Sequence, residues 1–367
     1  MKAQVLYGID DLRLEEVEIP QPGVGEALVE VKAAGICGSD VPRICYTGAH
    51  RHPLIPGHEF SGVVRQVGEG TDGDLSGKRV GVFPLIPCRR CVPCRKKQYE
   101  MCRSYNYLGS RCDGGFAEYV VVPADNLIPL PDQVTFEEAA MLEPMAVAVH
   151  AMRRAGIGVC IEGVQCDGLR ENDKDAHQAC ITVIGLGTIG LLLTMFLKDA
   201  GVDRILAVGN KEEQRRKAKA LGVEEQDYCD IRTQNAVDFL KEHTGGEGAD
   251  VVFECVGKEE SVTWAIEAAA SAGRVVLVGN PASDMKLGRD TYWRILRNQL
   301  EVCGTWNSSF TGENMDDWHY VLERLEEGAV HPAELISHRF SLDRLSEGLE
   351  IMCKKTEDYT KIMVIPG

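Results

Sequence analysis

The sequence lacks long apolar runs and has too little positive charge to balance its acidic residues. Its longest apolar stretch in a helical context, IGLLLTMFL, is far shorter than the roughly 20 residues that cross a bilayer. The net charge is −16, and nucleic-acid binding needs basic surface to replace counterions. The sequence therefore disfavours membrane and nucleic-acid partners, although a local group of basic residues could still hold a small anionic ligand.

The sequence also gives no indication of a secretory signal or of low-complexity tracts. The opening residues, MKAQVLYGIDDLRLEE, have no apolar core flanked by basic residues. Fourteen cysteines without a signal suit a reducing cytosol, where thiols bind metals or act as small hydrophobes. We therefore expect a cytoplasmic protein, and its 367 residues, 44% of them apolar, are enough for two globular domains.

Four cysteines in one short polar stretch form the most informative motif: Cys88, Cys91, Cys94 and Cys102. Four thiolates can close a tetrahedral shell around Zn²⁺ at about 2.3 Å. The residues between them are too polar to fold around a core of their own, so a metal would organise them. Free thiols or two disulfides are the alternatives, but the density of cysteines favours zinc. Four sulfur ligands leave no open coordination position, which predicts a structural site.

The periodicity of the chain changes near residue 138. Before it, short strand-like runs such as ALVEVKAAGI and FAEYVVV are separated by Gly and Pro, which predicts a β-rich domain. After it, apolar runs such as CITVIG and DVVFEC alternate with helical segments, which indicates a parallel sheet with crossover helices. The predicted fold class is therefore α/β, with a β-rich domain beside a doubly wound parallel sheet.

The first turn of the predicted parallel sheet carries the pattern G-x-G-x-x-G. In dinucleotide-binding turns, the glycines allow the tight turn, the close approach of a pyrophosphate and helix packing, and the helix N-terminus faces the anion. A glycine-rich turn without a ligand is the alternative, but the position between a strand and a helix favours a nicotinamide cofactor. The cofactor-binding residues predicted here are Gly185, Gly187, Thr188, Ile189 and Gly190.

A second group of candidate metal ligands lies in the β-rich part. Cys37 and His58 stand in the separate motifs CGSD and GHEFSG, and Glu143 follows in a Glu-Pro pair. Three mixed protein ligands with one open position are typical of a catalytic zinc. Asp40 could accept the other ring N–H of His58 and so fix its tautomer. Taken alone, a cysteine and a histidine at this spacing are more often core residues, and periodicity does not decide between these interpretations.

The motifs CGSD, GHEFSG, the four-cysteine stretch, GGFAEY, EP and GLGTIG occur in this order over nearly the full length. In this respect the chain resembles the zinc-containing medium-chain alcohol and polyol dehydrogenases. The resemblance implies a GroES-like catalytic domain over 1–150, completed by 304–367, with a Rossmann nicotinamide-binding domain over 151–303. The segments CGSDVPRI, TGAH, PLIPC, LGSRCDGGFAEY and GTWNSS are most similar to those of the family's sugar-alcohol-phosphate enzymes.

The resemblance also implies two zinc ions per chain. It places a catalytic zinc at Cys37, His58 and Glu143, with Glu59 close enough to alternate as a ligand, and a structural zinc on the four-cysteine stretch. In such an enzyme, zinc stabilises the alkoxide of a secondary alcohol, and hydride passes to the nicotinamide.

Catalytic roles are implied for three residues near these ligands: Ser39, Asp40 and Glu59. Ser39 matches the proton-relay hydroxyl of the family, while capping of a helix that begins at Asp40 is its alternative role. The other cysteines, including Cys45 and Cys353, form no ligand-like pattern and are interpreted as structural or incidental.

The expected substrate is a polyol or a polyol phosphate such as galactitol 1-phosphate. Arg43 and Arg111 lie in motifs close to the predicted zinc, and a guanidinium can hold a phosphate through a bidentate fork. Salt bridges within an acidic protein explain these arginines equally well. His50 and Asn307 are further substrate candidates, although a loop histidine in water is an equally good interpretation of His50.

The sequence leaves other functions open. An uncharged alcohol, a sugar alcohol or L-threonine could be the substrate, and a nicotinamide-binding redox sensor or structural protein would be a non-enzymatic alternative. The complete set of candidate metal ligands favours an enzyme. A homodimer or homotetramer is expected.

Two features depart from the family pattern. The polar stretch 159–178 is extra and is predicted to be a solvated insertion, with an oligomer contact as the alternative. Gly209 ends the second strand of the parallel sheet, where relatives carry the carboxylate that binds the ribose 2′-hydroxyl. Because Asn210, Lys211 and Arg215 follow, NADP is predicted as the preferred cofactor over NAD. A solvated helix face is the alternative interpretation of these cations.

Overall fold

The computed structural model describes residues 1–158, 179–313 and 316–367. The predicted insertion at 159–178 lies outside the described residues. Among the helices in the described ranges, none is long and apolar enough to cross a membrane.

The described residues form two compact units. The first unit comprises Met1–Ala146 and Ser308–Gly367, and the second comprises Val147–Asn307. The sequence predicts the corresponding boundaries at 150 and 303. The chain therefore leaves the first unit, builds the second, and then returns to complete the first.

The first unit is rich in short strands. Its strands are β1 (Lys2–Gly8), β2 (Asp11–Glu16), β3 (Glu26–Ile36), β4 (Glu59–Val67), β5 (Arg79–Val82), β6 (Leu85–Ile86), β7 (Asn106–Tyr107), β8 (Tyr119–Pro123), β9 (Leu127–Pro129), β16 (Ile336–Ser341) and β17 (Lys361–Ile365). Its helices are α1 (Asp40–Cys45), α2 (Val92–Arg95), α3 (Phe136–Ala140), α10 (Asp317–Glu326) and α11 (Leu345–Lys354), and α4 (Leu142–Arg154) runs from this unit into the second.

A seven-stranded sheet organises the first unit. Six strands follow the order β16-β17-β3-β4-β5-β9, and β8 also pairs with β3. The long strand β3 is central because it pairs antiparallel with β4, β8 and the C-terminal strand β17. Val29 and Val31 alternate with polar residues along β3 and are buried in the core of this unit, as expected for a half-buried strand.

The second unit alternates strands and helices. Its strands are β10 (Ile181–Ile184), β11 (Ile205–Gly209), β12 (Tyr228–Asp230), β13 (Ala249–Glu254), β14 (Ala269–Leu277) and β15 (Glu301–Gly304). Its helices are α5 (Thr188–Asp199), α6 (Glu212–Ala220), α7 (Ala236–His243), α8 (Glu259–Ala268) and α9 (Arg289–Arg297).

The strands of the second unit form one parallel sheet in the order β12-β11-β10-β13-β14-β15. The chain order reverses beside β10, and ligands of doubly wound sheets bind outside the carboxyl ends of the strands at such a point. This sheet, together with the β-rich first unit, confirms the predicted fold class.

Candidate active site

The four cysteines of the polar stretch converge in the first unit. Their Sγ atoms all lie within 4.8 Å of one another, and the pairs Cys91–Cys94 and Cys88–Cys94 are 3.4 and 3.9 Å apart. A tetrahedral zinc site with bonds of about 2.3 Å has sulfur–sulfur edges of about 3.8 Å. The donors present therefore fit the ion that the sequence predicts.

Local turns bring these thiols together. The short helix α2 begins after Cys91, and Arg89 and Lys97 adopt positive φ angles of 56° and 58° that reverse the chain on either side. Backbone N–H groups of Arg103 and Cys94 lower the pKa of Cys91 to about 6, which favours the thiolate that binds zinc. Burial raises the pKa of Cys94 to about 12, so a metal would have to displace that proton.

A second cluster forms where β3 ends and β4 begins. The ligand atoms of Cys37, His58 and Glu59 lie within 4.8 Å of one another. Gly57 makes the turn before His58 with a φ of +94°, and a Cβ atom there would lie 2.9 Å from the backbone nitrogen of Phe116. Only glycine is compatible with this turn, which presents His58 and Glu59 beside Cys37.

Asp40 connects this cluster to helix α1. Its carboxylate is fully buried, lies 3.4 Å from Nδ1 of His58, accepts a 3.0 Å hydrogen bond from the backbone N–H of Cys37, and forms an ion pair with Arg43. Burial alone would raise the pKa of Asp40, but His58 and Arg43 hold it below its usual value. Nδ1 of His58 makes no hydrogen bond within the part of the chain that the structure describes, so the orientation of the imidazole by Asp40 stays a prediction.

Ser39 precedes the first residue of α1, but its side chain makes no capping hydrogen bond. The helix therefore does not depend on this hydroxyl. The capping role that was the alternative to a proton relay is not observed, whereas the relay itself stays a prediction.

Glu59 is held by a lysine that sequence reasoning missed. Lys361, the first residue of β17, forms an ion pair with Glu59 and donates a 3.1 Å hydrogen bond to the carbonyl of Ile36. Both charged side chains are buried, with 1% and 2% exposure. Burial would lower the pKa of Lys361, but Glu59 raises it above its usual value. The one available signal was a lysine at the start of the apolar run KIMVI.

Glu143 lies outside the group formed by Cys37, His58 and Glu59. The hydroxyl of Tyr107, also missed in the sequence, donates a 3.0 Å hydrogen bond to Oε1 of Glu143. The pKa of Glu143 is raised to about 7, mainly by burial and also by Glu59. The structure thus groups Glu59, the predicted alternate ligand, with Cys37 and His58. Glu143, the ligand expected from the resemblance, is instead hydrogen-bonded to Tyr107.

The predicted substrate residues divide between the two units. Burial lowers the pKa of His50, and the positive charges of Arg111 and Arg43 lower it further, which brings these three residues of the first unit into one electrostatic neighbourhood. Arg111 packs over the ring of Tyr105 at 4.6 Å. Asn307 belongs to the second unit, has a φ of +52°, and buries an Nδ2 atom that has no hydrogen-bond partner among the described residues.

The predicted cofactor turn has the expected form. Gly185 has a φ of +93°, and a Cβ atom at Gly190 would lie 1.9 Å from the carbonyl oxygen of Gly185. Gly187 directly precedes helix α5, which begins at Thr188 and continues with Ile189. The strand β10 therefore leads through a tight turn into a helix N-terminus, an arrangement that can hold a pyrophosphate.

Gly209 ends β11, and Lys211 precedes helix α6. The backbone N–H of Asn210 donates a 3.1 Å hydrogen bond to the side chain of Gln214. Arg215 forms an ion pair with Glu225. This pairing is what the alternative interpretation, a solvated helix face, predicts for Arg215.

Comparisons with known proteins agree with the fold. Residues 23–132 match the model of the alcohol dehydrogenase GroES-like domain, and residues 188–327 match that of zinc-binding dehydrogenases. The chain is 30% identical to galactitol 1-phosphate 5-dehydrogenase of Escherichia coli (strain K12), with 97% of each chain covered. It is 31% identical to L-idonate 5-dehydrogenase of Vitis vinifera, with 92% of this chain and 87% of the relative covered.

Solved structures show the same likeness. The crystal structure of galactitol-1-phosphate dehydrogenase from Escherichia coli superimposes with a TM-score of 0.87, at 31% identity and full coverage of both chains. A Sinorhizobium meliloti 1021 protein bound to NADP gives a TM-score of 0.86 at 27% identity, with 100% of this chain and 99% of that chain covered. An alcohol dehydrogenase from E. coli CFT073 complexed with NADH gives 0.85 at 26% identity, with 100% and 99% covered.

The chain belongs to the zinc-containing medium-chain alcohol and polyol dehydrogenase family. It is an NAD(P)-dependent alcohol or polyol dehydrogenase, which confirms the resemblance found in the sequence. The non-enzymatic alternative is thereby set aside.

Proposed function

We propose that the protein interconverts a polyol phosphate of the galactitol 1-phosphate type and the corresponding ketose phosphate. The observation that supports this substrate is the grouping of Arg43 and Arg111 around His50, whose pKa is lowered by burial and by both guanidinium groups. Arg43 also pairs with Asp40, which touches His58. A phosphate held by these cations would lie near the metal ligands, and a relative with 30% identity acts on such a substrate.

The catalytic zinc is proposed at Cys37, His58 and Glu59, with Glu143 as an exchangeable ligand. The donors are a sulfur, a nitrogen and carboxylate oxygens, the set that suits Zn²⁺, and their ligand atoms already lie within 4.8 Å of one another. When bound there, zinc would supply Lewis-acid stabilisation of an alkoxide. The structural zinc is proposed on the four cysteines, which makes two ions per chain.

The residues around the cluster have distinct proposed roles. Asp40 orients the imidazole of His58 through Nδ1. Lys361 balances the charge of Glu59, and both side chains are buried. The hydroxyl of Ser39, which makes no capping bond, would accept the proton of the substrate alcohol and pass it towards solvent.

NADP is proposed as the preferred cofactor. The end of β11 carries Gly209 instead of a carboxylate, so no negative charge from that position opposes a 2′-phosphate. Lys211 precedes α6 and is the cation proposed to interact with such a phosphate. Arg215 is a weaker candidate because of its ion pair with Glu225. The hydride acceptor is the nicotinamide of this cofactor.

A homodimer is proposed through the exposed edge of the second unit, with a homotetramer as the alternative. The strand β15 is the last in its sheet, and Val302 on it is 39% exposed. The apolar side chains of Trp293, Leu296 and Trp306 are also exposed in this unit. Exposed apolar surface at a sheet edge favours association with a second copy.

The decisive experiment compares galactitol 1-phosphate with galactitol in steady-state kinetics, using both NADP and NAD. We expect kcat/KM to be at least about 100-fold higher for the phosphate, as two or more charge-assisted hydrogen bonds would supply. Arg111→Gln should remove most of this advantage and leave oxidation of galactitol unchanged. Arg13→Gln, at an exposed ion pair with Asp11, is the matched control. Equal efficiencies on both alcohols would instead indicate an uncharged substrate.

A further inference from the structure

The space beside Gly209 is already filled by another side chain. A Cβ atom at position 209 would lie 2.5 Å from Oη and 3.1 Å from Cζ of Tyr228, and 3.0 Å from Oε1 of Gln214. Contacts below 3.0 Å are essentially never made by real Cβ atoms. Any side chain at position 209 therefore has to displace the hydroxyl of Tyr228.

Tyr228 is held firmly in this position. It is 7% exposed, begins β12 and pairs in register with Ala207 of β11. Its hydroxyl donates a 3.1 Å hydrogen bond to the carbonyl of Lys211. Burial raises the pKa of Tyr228 to about 12, so the phenol keeps its proton as a donor at neutral pH. Turning the ring away would break this bond and expose a buried aromatic side chain.

The same ring contributes to the surroundings of the proposed 2′-phosphate site. The guanidinium of Arg215 lies 6.0 Å from the ring centroid of Tyr228. The hydrogen bond to Lys211 ties the start of α6 to β12, while the Asn210–Gln214 bond ties the intervening loop to the helix. Tyr228 thus both excludes a side chain at position 209 and positions the residues that follow it.

We propose that Tyr228 is a specificity-determining residue of the cofactor site. Its hydroxyl occupies the space that an acidic side chain at position 209 needs, which excludes the carboxylate that would select NAD. This inference rests on the proposed preference for NADP. It adds that the preference is encoded by a pair of residues, Gly209 and Tyr228, and that changing the glycine alone damages the site without converting it.

The steric part is tested by a double-mutant cycle with Gly209→Ala and Tyr228→Phe. Phenylalanine keeps the ring and removes only the oxygen that lies 2.5 Å from the new Cβ. We expect Gly209→Ala to lower the Tm by at least about 4 °C in the wild type and by less than half of that in the Tyr228→Phe background. An equal loss in both backgrounds would overturn the role of Tyr228, whichever cofactor the enzyme prefers.

The specificity part is tested by calorimetric titration with adenosine 2′,5′-bisphosphate and with ADP of the wild type, of Gly209→Asp, and of Gly209→Asp combined with Tyr228→Phe. Gly209→Asp alone should weaken both ligands. Gly209→Asp with Tyr228→Phe should bind ADP as the wild type does and lose at least about tenfold in affinity for the bisphosphate. An unchanged ligand ratio in the double variant would overturn the inference. A wild type that binds ADP more tightly would overturn the proposed cofactor preference instead.

A separate observation concerns two thiols away from both metal clusters. Cys45 at the end of α1 and Cys353 in α11 lie with their Sγ atoms 2.8 Å apart, and both are free and half-buried. This separation is less than about 1 Å longer than a disulfide bond. The sequence patterns indicate only structural or incidental cysteines. They do not predict a contact between residues 308 positions apart.

We infer that Cys45 and Cys353 form a reversible disulfide when the protein meets a peroxide. One thiol releases its proton, and the thiolate attacks an oxygen of hydrogen peroxide and breaks the O–O bond. The leaving hydroxide takes up the released proton, which yields a sulfenic acid and one water. The second thiol then attacks the sulfenic sulfur, forming the S–S bond and releasing a second water. Two electrons pass from the sulfurs to hydrogen peroxide.

The test treats the zinc-loaded protein with increasing hydrogen peroxide, blocks the remaining thiols and maps peptides by mass spectrometry. We expect a peptide that joins Cys45 to Cys353, lost again with dithiothreitol, before any zinc is released. Cys45→Ser and Cys353→Ser should each abolish this peptide and leave the zinc content unchanged. Release of zinc from the four-cysteine cluster before any such cross-link forms would overturn the inference.

Discussion

The two metal clusters of the first unit are built in opposite ways. The four-cysteine cluster comes from one stretch between Cys88 and Cys102, folded by two left-handed residues and a single helical turn. The other cluster draws Cys37, His58 and Glu59 from two strand ends, and it needs Lys361 from the far end of the chain. The four-cysteine cluster is formed by residues close in the sequence and only has to hold an ion. The cluster of Cys37, His58 and Glu59 is assembled by residues from the whole unit.

The electrostatic surroundings of the two clusters also differ. Around the second cluster, the carboxylates of Asp40 and Glu59 and the ammonium of Lys361 are almost fully buried. Buried ion pairs are a poor source of stability because desolvation offsets the attraction. Their presence beside candidate metal ligands indicates that they tune the site. Beside the four cysteines, Arg89 and Lys97 form ion pairs with Asp125 and Glu313, and all four of these side chains are exposed.

The roles of the two clusters are distinguished most clearly by removing a ligand from the cluster of Cys37, His58 and Glu59. His58→Ala should lower kcat/KM by at least about 10³-fold, because the metal provides several kcal/mol of alkoxide stabilisation. The far-ultraviolet circular dichroism should stay unchanged, and one zinc per chain should remain on the four cysteines. Substantial turnover by the metal-depleted wild type would contradict this assignment.

Removing a ligand from the four-cysteine cluster should lower the stability and affect catalysis only indirectly. Cys94→Ser should lower the Tm by at least about 10 °C, because the polar stretch has little apolar core to replace the metal. Zinc content should fall from two ions to one, and the loss of activity should follow the loss of folded protein. Cys303→Ser, a half-buried thiol outside both clusters, is the control. An unchanged Tm with unchanged zinc would contradict the structural role.

Lys361→Met should reveal that the second cluster depends on a distant cation. Methionine is unbranched and one atom shorter than lysine, and it leaves Glu59 buried without its cationic partner, so the metal-free protein should lose about 3 kcal/mol of stability. Zinc should restore more stability to this variant than to the wild type, since the ion replaces the missing charge. Adding Glu59→Gln should recover most of the loss. Urea unfolding with and without zinc measures the free energy of unfolding of each variant.

The smallest effect is expected in the pH dependence of the metal-free protein. The folded-state pKa of Glu143 is about 7, above its ordinary value of 4.5, so the folded protein binds the proton more tightly than the unfolded chain. Stability should therefore fall as the pH rises from about 4.5 to 7, and Glu143→Gln should flatten this slope. Tyr107→Phe should steepen it, because the phenol lowers the pKa. Parallel slopes in all three proteins would show that Glu143 does not titrate there.

Features that depend on neighbouring residues could be predicted from the sequence. The four-cysteine motif, the glycine turn at Gly185 and the change from a β-rich part to alternating strands and helices all arise within short windows. Lys361 and Tyr107 could not be predicted because their roles depend on contacts across the fold. Lysine at the start of an apolar run gives no indication that Glu59, 302 residues earlier, is its partner. The grouping of Glu59 with Cys37 and His58 was likewise expected only as an alternative.

The return of the chain to the first unit has a consequence for how the protein folds. Glu59 must meet Lys361 across 302 residues, yet Arg154 and Gly304 within the second unit are joined by a hydrogen bond across 150 of those residues. Once the second unit has folded, the flexible loop between Glu59 and Lys361 is about half as long. Because halving a loop lowers its closure entropy by only about 0.6 kcal/mol, an intervening unit of this size is a small thermodynamic burden. Such a chain can accept a whole cofactor-binding unit between two strands of one sheet and still assemble the buried charge pair at its metal site.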